Sequence, residues 1–289
     1  MSTDDVTAII VSAIVLGSLY SLMASGLSIV WSVTRVFNFA HGSYIMLGAY
    51  FAWSLIDIGQ PLFIAGIGAV VGTSLLAVVY EIVLIRPLLK SESAVLMVSV
   101  TTLAAAMINI NSVQMIWGPR VKQIPRLANG TVKIFNTAVG VQDIVIAVVA
   151  PLAIVVLAGF LRWTRLGFAL RAVEQNHDLS KLIGISPKLA YSVTHAVSGA
   201  LAGFAGFLLG AVVTVVPTMG NDPLLKAFIV VVLGGLGSIT GTVVGAYAVG
   251  FVIAFSQYTL GLYWTPVVLF FILIIILTFR PTGLMGDRK

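Results

Sequence analysis

The sequence contains no cysteine. Disulfides, thiolate nucleophiles and Cys-ligated zinc or iron–sulfur centres are thereby excluded, and the chain carries no mark of its redox compartment. Charge is nearly as scarce. Only 9% of the 289 residues are Asp, Glu, Lys or Arg, against 59% hydrophobic, and the mean hydropathy is +1.09. Soluble domains carry about 25% charged residues to wet their surfaces, so lipid must be the solvent over most of this chain. The 16 Lys and Arg are scattered among loops with no basic stripe, which argues against nucleic acid as a partner. Three isolated histidines without clustered carboxylates make no metal site. There is no Gly-x-x-x-x-Gly-Lys-Ser/Thr loop, so the chain has no P-loop ATPase site of its own. Nor is there a Ser/His/Asp constellation, and no residue is assigned a catalytic role. The N-terminus lacks the basic flank of a signal peptide, so residues 6–30 are expected to remain as a membrane span.

What the sequence has in abundance is apolar runs. About 20 such residues in a helix cross a hydrocarbon core of roughly 30 Å. Segments near 6–30, 42–58, 62–85, 94–117, 141–162, 189–216, 224–238, 240–258 and 263–279 fit or approach this length. The expectation is an all-α polytopic membrane protein, one domain over 1–289, with eight or nine transmembrane helices, some short or broken. With the C-terminal tail inside, alternation puts loops 31–41, 86–93 and 163–188 inside as well. The inner side then holds Arg35, Arg86, Lys90, Arg162, Arg165, Arg171, Lys181, Lys188, Arg280, Arg288 and Lys289. The outer side holds Arg120, Lys122, Arg126, Lys133 and Lys226, which satisfies the positive-inside rule.

Two polar stretches are long enough to fold. Residues 118–140 carry turn signals at Gly118-Pro119, Pro125 and Asn129-Gly130 around short β-branched runs, which predicts an outer loop with a hairpin. In 163–188, Leu166, Leu170, Val173, Leu179, Leu182 and Ile183 recur at roughly helical spacing, and Ser186-Pro187 marks a boundary. This predicts one or two short amphipathic helices on the cytoplasmic side.

Within the spans, Gly199, Gly203, Gly206 and Gly210 share a helix face, and Gly241/Gly245 and Gly68/Gly72 form similar pairs, all read as packing surfaces. The cluster Gly234-Gly235-Leu236-Gly237-Ser238 has two readings of equal weight. It is either a broken helix at a substrate path or a tight turn between two short spans. Charged groups in mid-membrane are nearly lacking, which argues against a proton- or sodium-driven carrier. Thr101, Thr102, Asn109, Asn111, Ser112 and Gln114 lie along the fourth span, where bonding between helices is favoured over lining a path. A path assembled from the polar and glycine positions passes Asn38, His41, Gly42, Thr102, Asn109, Gly234, Gly235, Gly237 and Ser238.

Four blocks carry a family resemblance: Arg35 to Tyr50, Thr164 to Ile185, Lys226 to Ser238, and Arg280 to Gly286. In this order, over nearly the whole chain, they resemble the permeases of branched-chain amino acid ABC transporters, the H-type subunit of the Liv system. The resemblance implies an importer of branched-chain amino acids or related small polar solutes in the cell inner membrane. It also implies a second, sister permease, two ATP-binding subunits that hold ATP and Mg, and an extracytoplasmic substrate-binding protein. It casts 163–188 as the coupling loop to the ATPases, with Arg171, Ala172, Glu174, Asn176, Leu182, Gly184 and Ile185 at the contact. Relatives of this shape carry urea, amides or aromatic acids, so the solute stays open. A self-sufficient channel with the glycine-broken segment as its filter is the rival class.

Overall fold

The computed structural model describes residues 3–134, 137–280 and 282–285. In lipid each backbone N–H and C=O must be satisfied within its own segment, and the chain meets this demand with helices. These are α1 (Thr3–Thr34), α2 (His41–Asp57), α3 (Leu62–Tyr80), α4 (Arg86–Leu88), α5 (Ala94–Trp117) and α6 (Val141–Trp163). They continue as α7 (Arg165–Gln175), α8 (His177–Leu182), α9 (Pro187–Gly210), α10 (Asn221–Gly234), α11 (Ile239–Thr259) and α12 (Thr265–Phe279). A π-helical turn, Glu81–Ile85, joins α3 to α4. The expected hairpin is present as β1 (Thr131–Ile134) and β2 (Thr137–Gly140), antiparallel with Thr131 opposite Gly140.

Among the described residues seven helices are long and apolar enough to cross a membrane. They cover Asp4–Thr34, Leu62–Leu88, Ala94–Trp117, Val141–Trp163, Pro187–Gly210, Ile239–Thr259 and Leu262–Phe279. The other two apolar segments, α2 and α10, have only 17 and 14 residues. The protein is therefore an all-α polytopic membrane protein in which two of the expected spans are short.

Helix α1 is the axis. Its serines 18, 21, 25, 28 and 32 alternate at spacings of three and four, so they share a face, and all are buried. Small residues let neighbours approach closely where lipid supplies no hydrophobic drive. Ser18 Oγ lies 3.1 Å from Tyr247 Oη and Thr242 Oγ1 donates to Ser28 Oγ at 3.0 Å, so α11 runs antiparallel to α1. The α9 glycines do pack: Gly199 and Gly203 face Thr73 of α3, flanked by Ala77 and Ala69, while Gly206 faces the Ile45 backbone of α2 and Gly48 of α2 faces the Gly203 backbone.

The alternation expected from the loops holds at one end of the bundle. Gly237 lies beside Trp31 and Ser32. Val36, Ile85 and Val98 form one cluster, and Arg86 Nη2 donates to the Lys188 carbonyl at 3.4 Å. The tail returns here too, with Leu284 N bonded to Leu233 O at 2.8 Å and Met285 N to Gly234 O at 3.0 Å. Those two bonds satisfy carbonyls at the end of α10 that have no acceptor role inside the helix. Arg288 and Lys289 lie outside the described residues.

Two expectations are corrected. The 31–41 segment is not a surface loop: residues 36–40 turn back into the bundle, so α2 starts in its interior. The 189–216 segment is not one helix. It stops at Gly210, and the β-branched run Val212 to Val216 before Pro217 forms irregular chain that re-enters the bundle. Val215 pairs there with Lys122 through two backbone bonds of 2.9 Å.

Candidate functional site

The first re-entrant turn begins at Arg35, whose φ of 57° reverses the chain after α1. Residue 38 then organises it. Asn38 Oδ1 accepts from Ala40 N at 3.0 Å, and its carbonyl accepts from His41 N at 3.2 Å. Phe39 N donates to Thr102 Oγ1 at 3.1 Å, which ties the turn to α5. His41, fully buried, bonds Met23 O through Nε2 at 2.8 Å. A carbonyl can only accept, so Nε2 carries the hydrogen, and Nδ1 accepts from Ser198 Oγ at 3.2 Å. Met23 lies well inside α1, which fixes the depth at which α2 starts. From there α2 rises toward the hairpin end, braced by Asn109: Nδ2 donates to Ser43 Oγ at 2.8 Å, and Oδ1 accepts from Tyr80 Oη at 2.5 Å. Asn38, His41, Gly42, Thr102 and Asn109 are thus gathered around one helix start. Thr102 and Asn109 act there as interhelical bonds.

The second re-entrant stretch, 211–220, ends at the same point. A Cβ on Gly42 would stand 2.7 Å from the Gly220 carbonyl oxygen, and one on Gly220 would run into the Gly42 carbonyl. Only glycine permits this backbone contact. From it α10 departs in the opposite sense to α2, toward the end that carries α7 and α8. Two half-length helices therefore point their N-termini, the positive ends of their dipoles, at a shared interior junction. A cavity of about 250 Å³ opens beside it, lined by Leu27, Phe37, Asn38, Phe39, Asn221, Leu224, Leu225 and Phe228. Phe37 stacks on Trp31 at 4.2 Å and leans on Phe228 at 5.1 Å, which fixes its wall.

Sequence reasoning missed the charged pair here. Lys226 does not lie in an outer loop. Its ammonium is 2.6 Å from Asp222 and 5.8 Å from the centre of the Tyr20 ring, about halfway along α1. The cause is the re-entry of 211–220, which starts α10 inside the bundle instead of at its surface. Asn221-Asp222-Pro223 was a legible helix start, and the spacing of 222 and 226 is that of a helical ion pair.

Gly234, Gly235, Gly237 and Ser238 are not brought to this junction. They form the turn between α10 and α11 at the far end of α10, with φ of 111° at Gly235 and 88° at Gly237. Ser238 Oγ accepts from Gly241 N at 3.1 Å and caps α11.

At that same end lies the amphipathic segment, folded as the expected two helices. Thr164 caps α7 through Gly167 N, and Asn176 caps α8 by accepting from Asp178 N and Leu179 N, both at 3.0 Å. Leu170 and Val173 turn inward, whereas Arg171, Asn176 and Gly184 are exposed and Leu182 is 81% exposed. Ala172, Glu174 and Ile185 are half-buried. A groove between α7 and residues 183–185 is lined by Arg165, Phe168, Arg171, Ile183 and Ile185. Lys181, and next to it His177, hold the Asp178 carboxyl below its usual range. Where α9 leaves this segment, buried Glu81 accepts from Arg86 at 2.6 and 2.7 Å and from Ser192 at 2.9 Å, so α3 and α9 are clamped together.

Paired broken helices with cavity-facing N-termini, carried by long lipid-facing spans, are the build of a solute permease. Comparison with known proteins agrees. The family model described as "Branched-chain amino acid transport system / permease component" matches residues 9–277, and the chain belongs to this family. It is similar to the high-affinity branched-chain amino acid transport system permease protein LivH of Escherichia coli, 32% identical over 95% of this chain and 94% of that one. The permease BraD of Pseudomonas aeruginosa is 31% identical over 96% and 94%. A solved structure, PsaBC from Streptococcus pneumoniae in complex with Fab, overlays with a TM-score of 0.49 at 12% identity, covering 94% of this chain and 90% of that one.

Proposed function

We propose that this chain forms half of the translocation pathway of an ATP-binding cassette importer for branched-chain amino acids or related small polar solutes. The observation that carries the reading is the junction at Gly42 and Gly220, where two half-helices meet from opposite faces beside a cavity. A second permease completes the pathway, and an extracytoplasmic binding protein delivers the solute to the hairpin end. The α7–α8 end is cytoplasmic: its basic residues outnumber those of the hairpin end, as the positive-inside rule requires. Two ATP-binding subunits, which hold ATP and Mg, dock there on Arg171, Ala172, Glu174, Asn176, Leu182, Gly184 and Ile185. The exposed apolar side chains of α8 and the adjoining groove support that docking. Hydrolysis moves α7 and α8, and the clamp at Glu81 passes the movement to α3 and α9. Asn38, His41, Gly42, Thr102 and Asn109 hold the junction, and the Gly234–Ser238 turn is the pivot below it.

The test is purification from the native membrane in mild detergent, followed by reconstitution of what co-purifies. Leucine uptake that requires ATP, from a complex containing a sister permease and ATPases, is the expected result. Solute flux through this chain alone without ATP would replace the reading with that of a channel.

A further inference from the structure

We propose that Asp222 and Lys226, together with the adjacent cavity, form a transient binding site for a zwitterionic α-amino acid inside the permease. The inference rests on the function proposed above and names the residues that meet the solute. Its starting point is an anomaly of depth. The Asp222 side chain is 71% exposed and that of Lys226 is 17% exposed. Yet α10 starts against Gly42 in the bundle interior, and the Lys226 ammonium lies against Tyr20, about halfway along α1. An open carboxylate at that depth cannot face hydrocarbon, where ionised groups pair or line water-filled space. The face of α10 that carries Asn221, Asp222 and Leu225 therefore borders an aqueous passage.

The chemistry of the pair selects the ligand. Asp222 and Lys226 already neutralise each other at 2.6 Å. A zwitterion can open this bridge and replace both halves at once. Its ammonium goes to the Asp222 carboxylate. Its carboxylate goes to the Lys226 ammonium, near the positive end of the α10 dipole. Net charge stays at zero throughout. A lone cation or anion would strand one member of the pair unpaired in a low-dielectric place, so it is rejected by the same groups. The side chain of the solute has its own compartment. Asn221 and Leu225 flank Asp222 on the helix and also line the cavity of about 250 Å³, whose other walls are Asn38 and the apolar Leu27, Phe37, Phe39, Leu224 and Phe228. An apolar chamber beside a charged pair fits an aliphatic amino acid and offers little to glycine. The bridge closes again once the solute leaves, so occupancy is short, as passage requires.

The experiment is saturation-transfer NMR on the complete transporter in lipid nanodiscs, a method that reads weak, fast exchange. The probes are leucine, leucinamide without a carboxylate, 4-methylpentanoate without an ammonium, and glycine without an aliphatic chain. Leucine is expected to give the signal, and each truncated probe to bind about tenfold more weakly or worse, since leucinamide and 4-methylpentanoate each lose one charge-assisted contact and glycine loses the apolar burial of its side chain. Asp222→Asn and Lys226→Met are expected to remove the advantage of leucine over 4-methylpentanoate and over leucinamide, respectively. Should either variant fail to assemble with its partners, Leu225→Trp decides the matter by filling the cavity from an exposed position. Loss of the leucine signal there supports the site. Equal binding of all four probes, or leucine binding unchanged in the variants, overturns it. Failure of the wild-type complex to drive leucine uptake with ATP would instead remove the functional reading, and the binding result would show that separately.

Discussion

Glu81 is fully buried on a π-helical turn, and its carboxylate takes three hydrogen bonds from Arg86 and Ser192. Breaking a buried pair by removing one charge costs about 3–5 kcal/mol, because the other charge stays behind. Arg86 keeps 27% of its side chain exposed whereas Glu81 is fully buried. Arg86→Met should therefore lower the thermal midpoint of the purified protein sharply, while Arg86→Met with Glu81→Gln should recover part of the loss. Additive losses in that double-mutant cycle would show that the two side chains are not coupled. The glycines at the junction invite a second test. A methyl group at Gly42 meets a backbone carbonyl, which cannot move aside as a side-chain tip can. Gly42→Ala should cost about 1–3 kcal/mol, the range for overpacking, and a thermal scan unchanged from wild type would deny the contact. Only the first effect was legible in the sequence. Arg86 was a visible partner for Glu81, but nothing in the sequence paired Gly42 with Gly220, since contact between distant segments is a property of the fold.

At the scale of elements, hydrophobic runs marked almost every helix, because in lipid the requirement for apolar length is stringent. The reading failed where the chain enters the bundle without crossing it. The run 211–216 is as apolar as a span, and periodicity cannot tell a span from a buried, irregular return, while 31–41 is polar enough to read as a loop. The clue lay in chemistry instead: Asn38, Pro217 and Asn221-Asp222-Pro223 are breakers and caps inside apolar surroundings. The α7–α8 segment was legible for the opposite reason, as polar residues with helical spacing have few alternatives. Its second helix is short and depends on the Asn176 cap. Asn176→Ala should cost about 1 kcal/mol of helix-end stability and loosen α8. ATP hydrolysis is then expected to continue with less solute moved per ATP, measured in proteoliposomes. An unchanged ratio would remove α8 from the coupling path.

For the molecule as a whole, the absence of cysteine is a practical asset, since each introduced thiol reports on one place alone. Leu225, Val156 and Phe271 are all large, apolar and at least 45% exposed, so exposure alone does not separate them. Their surroundings should. Leu225→Cys borders the proposed passage and is expected to react with a membrane-impermeant maleimide in the assembled complex. Val156→Cys on α6 and Phe271→Cys on α12 face lipid and should stay unmodified. Equal labelling at all three would show that the α10 face is not a distinct aqueous surface. The charged pair is the clearest case of a site hidden from sequence reading. Asp222 and Lys226 look like the edge of a loop until the depth of α10 is known.

The short helix α2 has a further consequence for how the protein is made. Most of its surface is covered by α3 and α9, and α9 is translated long after α2 has left the ribosome. At ordinary synthesis rates the gap between them is on the order of ten seconds. During that time a 17-residue segment, at the lower limit of spanning length, has no interior to enter. It must wait at the insertion machinery or at the membrane surface until its cover arrives. A truncation before α9 would therefore leave a chain whose first half cannot reach its final depth, and such a chain would be a ready substrate for membrane quality-control proteases.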